Sequence, residues 1–140
     1  MKWFDPLDNS KPVISPQAEI NSYLKKRNQT EEFGIHSRFL MLLTGNDTTS
    51  LRKEFLIKEE QYQLPAFLGK RPLYTIEEQP QISLVAKTCT APVAVDTLET
   101  AIAMGVRQLF FFGLCGAISD SLEIGDFVIP TNIKREEGTS

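Results

Sequence analysis

The chain is poor in the residues from which metal centres and disulfide frameworks are built. Its 140 residues hold two cysteines, Cys89 and Cys115, and a single histidine, His36. One His and two separated Cys do not give structural zinc spacing. Two thiols make no disulfide framework, so reduced thiols and a cytoplasmic setting are expected. Positive charge is not in excess either. Lys and Arg number 15 against 18 Asp and Glu, a net charge of −3, which leaves no electrostatic footprint for nucleic acid or an acidic membrane. The longest apolar run, around 109–114, is far too short to span a bilayer. The N-terminal MKWFDPLDNSKP has no apolar core of the secretory kind.

What is present suits one soluble domain, with 41% hydrophobic and 24% charged residues. Residues 1–37 read as an arm and a short helix. Pro6 and Pro12 suit either an extended arm anchored by Trp3 and Phe4 or a partly disordered terminus, and Ser15-Pro16 reads as N-cap and N1 of a helix with Ile20, Tyr23 and Leu24 inward. Residues 38–140 form the α/β part. RFLMLL at 38–43 is the first central strand, and a helix over 50–59 comes next, with Leu51, Phe55 and Leu56 inward. Strands at 64–68 and 72–76 make a hairpin around Gly69-Lys70-Arg71. After a polar break at 77–81, a strand at 82–87 leads into a helix over 93–104. Its apolar stripe is Val95, Leu98, Ala101 and Ile102, and Gly105 ends it. A strand at 108–114 and an edge strand at 126–133, carrying Pro130, complete the order. Strand, helix, strand within about thirty residues is a right-handed βαβ unit. The fold class expected is α/β, with a mostly parallel (mixed) central sheet flanked by helices. At Ser140 the domain looks incomplete. That arrangement leaves a bare sheet edge or face and predicts association of isolated copies.

The chemistry is expected where strands end in glycines. Leu109-Phe110-Phe111-Phe112-Gly113-Leu114-Cys115-Gly116-Ala117-Ile118 reads as a strand buried on both faces, with Phe110–Phe112 in the core. It runs into a turn whose glycines let backbone approach a ligand. Ligands of open α/β sheets gather beyond the carboxyl ends of the strands. Thr44-Gly45-Asn46-Asp47-Thr48-Thr49 is a second such loop. Strand, glycine loop and helix together make an anion cradle. One glycine and no Lys or Arg in the loop keep a plain connecting turn as the simpler reading.

Three segments then fall into a pattern: Phe112-Gly113-Leu114-Cys115-Gly116-Ala117-Ile118, Ile124-Gly125-Asp126-Phe127-Val128-Ile129-Pro130, and Arg135-Glu136-Glu137-Gly138-Thr139-Ser140. Together they resemble the nucleoside phosphorylase superfamily, in its uridine and purine nucleoside phosphorylase branch and the related nucleosidases. That family has a G-T-C-G turn, a G-D-x-V-I-P segment and an R-x-E-G-T-S loop in this order. Thr44-Gly45-Asn46-Asp47 and Thr88-Cys89-Thr90-Ala91-Pro92 stand where it has its upstream loops. The resemblance covers about 39–140, the first half of a family member, and implies an incomplete nucleoside-phosphorylase-like fold. It also implies cleavage of the N-glycosidic bond of a purine or pyrimidine nucleoside, phosphate as co-substrate, no other cofactor, and a homo-oligomer, dimer or hexamer, with sites at subunit boundaries. Carried over residue by residue, it places Gly45, Cys115, Gly116, Glu137, Gly138 and Thr139 at the substrate and phosphate site. The half without a counterpart here is the one that in the family carries the ribose-binding Glu and the acid for the departing base.

The departures bear on mechanism. Phosphorylases place an arginine two residues before the turn glycine, where this chain has Phe111. The turn threonine is Leu114, the first loop's arginine position is Thr49, and the second loop's G-x-G is Thr88 and Thr90. A phenyl ring offers a phosphate dianion none of the bidentate bonds of a guanidinium. Two alternatives to phosphorolysis therefore stand: hydrolysis of the kind carried out by AMP nucleosidases, which Phe111 and Glu32-Phe33-Gly34 loosely match, and a non-catalytic homologue. His36 reads as a surface or half-buried residue, Cys89 and Cys115 as small packing residues near one another, and Glu136-Glu137 as a solvated pair.

Overall fold

In the computed structural model, residues 14–26, 34–45, 48–65 and 68–134 are described. Helix α1 (Pro16–Lys26) starts as its sequence dictates: Ser15 Oγ accepts the Ala18 N–H at 3.2 Å, satisfying one of the amides a helix start leaves open. Ile20 is buried on its inner side, and α1 packs on helix α2 (Ala91–Ala103).

The five strands form one mixed sheet in the order β2-β3-β4-β1-β5. They are β1 (Arg38–Leu43), β2 (Ile57–Leu64), β3 (Arg71–Ile76), β4 (Gln79–Val85) and β5 (Gln108–Gly113). β1 runs parallel to both β4 and β5, whereas β2, β3 and β4 form an antiparallel meander. Helix α2 makes the crossover from β4 to β5, with β1 lying between those two strands. Thus β1 is apolar on both sides because it has work on both: Phe39 and Met41 pack with Val85, Leu73 and Ala101, while Leu42 packs with Leu84, Tyr74 and Ile57. Glycine matters most at Gly113. A Cβ there would sit 3.3 Å from Leu43 Cβ, so its absence lets the end of β5 lie close against the end of β1.

Several expectations change. Residues 50–59 are not a helix. Only a 3-10 turn (Leu51–Lys53) forms, and β2 begins at Ile57. Hydrogen bonding to β3 outweighs helix propensity there, with Ile57 opposite Ile76 and Lys58 opposite Thr75. The hairpin exists, but its first strand is 57–64 and not 64–68. The polar break at 77–81 shrinks to a turn at Glu77 and Glu78, and Pro80 lies inside β4, ahead of the residues that pair with β1. On α2 the inward face is Thr97, Thr100 and Ala101, while Val95 and Ile102 are exposed. The buried hydroxyls satisfy themselves, Thr97 Oγ1 donating to Val93 O at 2.7 Å and Thr100 Oγ1 to Asp96 O at 2.9 Å. Gly105 does terminate α2, at φ +105°, with Val106 N–H donating to Ala101 O at 3.1 Å.

The largest corrections concern β5 and the residues after it. β5 is the last strand of the sheet and not a strand buried on both faces, and Phe110, Phe111 and Phe112 are exposed, not core. Residues 126–133 form no strand, because a strand requires a hydrogen-bonded neighbour and none among the described residues lies beside this segment. No helix among the described residues is long and apolar enough to cross a membrane.

Candidate functional site

Because β4, β1 and β5 are parallel, their carboxyl ends lie on one edge of the sheet. That edge gathers the loops after Leu43, Val85 and Gly113. Since Leu43 pairs with Gly113, the loop that begins at Thr44 and Gly45 leaves the sheet next to the turn that begins at Leu114. A Cβ on Gly45 or on Gly116 would meet nothing within 4 Å, so both backbones face open space. The first turn of α2 starts at the same edge. Its N-cap, Thr90, makes no side-chain capping bond, and Pro92 occupies the first turn. Amides at a helix start favour negative or electron-rich groups.

A residue undervalued by sequence pattern holds two of these loops together. Thr88 is almost wholly buried and its hydroxyl donates to Leu42 O at 2.8 Å, pinning the loop after β4 to the end of β1. Where the family pattern has glycine, the β-branched residue has become a fastener. Directly before it, Lys87 is exposed and takes φ +63°, the left-handed region that non-glycine residues seldom enter. Nothing in the local sequence marks that turn.

The loop after β1 is braced from its far side. Arg52 donates to Thr48 Oγ1 at 3.0 Å and to Ile57 O at 2.9 Å, and its guanidinium lies 5.7 Å from the Tyr74 ring centre. Thus the arginine nearest Thr49 in sequence serves the loop's architecture.

Beyond β5 the chain encloses an open cleft of about 750 Å³. Its walls include Phe111, Phe112, Cys115 and Gly116 on one side and Ile124, Asp126 and Phe127 on the other. Phe127 comes back to within 6.4 Å of Phe112, ring centre to ring centre. The turn between is closed by Asp126, whose Oδ2 accepts the Glu123 N–H at 2.8 Å, and by Gly125 at φ +104°. The wall contains the acids Glu123 and Asp126 and neither Lys nor Arg. Leu114, in place of the threonine of the family turn, is exposed and apolar.

Other candidates are placed elsewhere. His36 is half-buried at the opposite end of β1, where its amide donates to Ser83 Oγ at 2.9 Å. Cys89 and Cys115 are both exposed, and the strands that precede them are separated by β1, so they are not packing residues of the core. Glu137, Gly138 and Thr139, with Trp3, Phe4, Glu32, Phe33 and Glu136, lie outside the described residues.

Comparison with known proteins agrees with the motifs. The sequence model of the phosphorylase superfamily matches residues 45–140, a span containing all six candidate site residues. A guanosine phosphorylase of Halorubrum lacusprofundi is 39% identical over 49 residues, a stretch covering 35% of this chain and 20% of that protein. The family match extends over well more than half of the sequence, from the first glycine loop onward. This chain belongs to the phosphorylase superfamily.

Proposed function

We propose that this chain contributes the carboxyl-edge half of a site that cleaves the N-glycosidic bond of a nucleoside. The observation that carries this reading is the convergence of Gly45, the Thr88–Thr90 loop and Cys115-Gly116 at one sheet edge, in a chain matched to the phosphorylase superfamily from residue 45. In phosphorolysis a phosphate oxygen bonds to C1′ as the C1′–N bond breaks. The bonding pair leaves with the base, which takes up a proton. The catalytic demand is to stabilise an oxocarbenium-like sugar and a departing base. Backbone at Gly45 and Gly116 lies along the sugar and its attacking group, and Phe111 or Phe112 offers a ring face to the base. Glu137, Gly138 and Thr139 complete the phosphate and ribose contacts. Acid catalysis at the base, and the oligomer that closes the site, come from outside the described residues. The similarity to a guanosine phosphorylase makes a purine nucleoside the first substrate to test.

A second reading, in which water takes the place of phosphate, is favoured by one specific observation. The cleft beside Cys115 and Gly116 is lined by two acids and no cation, which suits a neutral nucleophile better than a dianion. Either reaction belongs to nucleoside metabolism.

The test is base release from guanosine, inosine, uridine and AMP by the purified protein, with and without phosphate. Release that requires phosphate supports phosphorolysis, and release indifferent to phosphate supports hydrolysis. A folded sample that releases no base from any of the four refutes the proposal for this chain and leaves the non-catalytic reading.

A further inference from the structure

We propose that the groove between the start of α1 and the outer face of α2 is a docking site for the chain's own residues 1–13, which lie along it as a strap. The groove has a volume of about 290 Å³, small for a ligand pocket and suited to a few side chains laid side by side. Its apolar wall is open among the described residues: Ile14 is 66% exposed, Leu68 46% and Val95 36%, and Pro92 completes it. Contiguous exposed apolar surface of this kind marks a place where something docks. The charged residues described in its lining are Glu19, Asp96 and Glu99, with no Lys, Arg or His among them. One Asp96 oxygen accepts the Leu68 N–H at 2.8 Å, which ties the two sides of the groove together. Such a surface calls for apolar side chains accompanied by positive charge.

Position, charge and reach agree with that occupant. Residues 1–13 lie outside the described residues and lead directly into the groove, because Ile14 is part of its wall. Lys11 precedes Ile14 by three residues, at most about 10 Å of chain, and is the charge nearest the acids. Asp8 and Asp5 stand farther along, six and nine residues before Ile14. Trp3 and Phe4 bring the large apolar surface. From Trp3 to Ile14 an extended chain reaches at most about 36 Å, whereas α2, with 13 residues, is about 20 Å long. The rings can therefore lie anywhere along the helix. Pro6 and Pro12 bias the residues before them toward extended backbone, the form a groove receives. Lys11 then meets Asp96 and Glu99, and the rings cover Val95 and Pro92. Because Pro92 stands in the first turn of α2, the strap braces the helix start whose N-cap is Thr90.

Trp3 is the chain's single tryptophan, so its fluorescence reports on the strap in the 140-residue protein itself. Docked, it should emit at shorter wavelength than N-acetyltryptophanamide and be quenched by acrylamide several-fold less, to the same degree at every protein concentration. Val95→Glu sets a carboxylate under the rings, and Lys11→Glu sets like charges against Asp96 and Glu99. Each should abolish the protection with an unchanged circular-dichroism spectrum, and adding Glu99→Lys to Lys11→Glu should restore it. Glu78→Lys, at an exposed acid in the turn between β3 and β4, should leave the protection as it is. Three results would overturn the proposal: a Trp3 as accessible as the free compound in the folded wild type, protection lost on dilution (which places the strap on a second copy), or protection indifferent to both Val95→Glu and Lys11→Glu. If Val95→Glu fails to fold, Lys11→Glu, which leaves α2 untouched, decides.

Discussion

Replacing Thr88 with valine removes one hydroxyl while keeping the β-branched shape. The structure says what that hydroxyl does: it is buried and donates to Leu42 O at 2.8 Å. Valine leaves the carbonyl short of that donor, at a position that is almost wholly buried. An orphaned buried polar group costs about 1–3 kcal/mol, which for a chain of this size lowers Tm by roughly 3–10 °C. Urea unfolding followed by circular dichroism should show a lower midpoint at unchanged slope, since the surface exposed on unfolding is the same. Thr88→Ser is the control. It keeps the donor and loses one methyl, at a cost of about 1 kcal/mol, so it should be the milder change. A Val variant as stable as the wild type, or a Ser variant weaker than the Val variant, would refute the assignment of Thr88 as the fastener between β4 and β1.

Three further outcomes are expected. Arg52→Ala should cost about 1 kcal/mol in chemical denaturation, and Arg52→Lys should recover less than half, because an ammonium lacks the planar fork that reaches Thr48, Ile57 and Tyr74 together. Ser15→Ala should weaken the start of α1 by about 1 kcal/mol, seen as faster hydrogen exchange at the Ala18 amide with β1 amides unchanged. Phe111→Arg should cost no more than about 1 kcal/mol, since only about half of the ring is buried. It should also make Tm rise with millimolar phosphate, which the wild type should not show. Equal phosphate responses in the two proteins would remove position 111 from the anion path.

The parts of the fold legible in the sequence are those in which local and tertiary preferences agree. RFLMLL reads as a central strand and is one, Ser15-Pro16 starts a helix, and Gly105 ends another. Pattern misleads where pairing or context overrules it. Residues 57–59 look helical beside Leu51 and Phe55 but are claimed by β3. The inner face of α2 is hidden because Thr97 and Thr100 read as polar while bonding their own backbone. Phe110–Phe112 look like core because an apolar run carries no record of whether anything covers it. For the candidate site, the glycine turns mark the sheet edge proposed to hold it. The grip of Thr88 on Leu42, between residues 46 apart in sequence, and the left-handed Lys87 have no local signature.

Nucleoside binding at the carboxyl edge of β4, β1 and β5, as proposed above, is open to a single titration. Titrating the ¹⁵N-labelled chain with inosine or guanosine tests it most directly. Saturable amide shifts are expected at Thr44, Gly45, Cys89, Thr90, Cys115 and Gly116, with His36 and Ser37 at the opposite edge unmoved. Shifts centred on His36 and Ser37, or none at ligand concentrations well above millimolar, would contradict it.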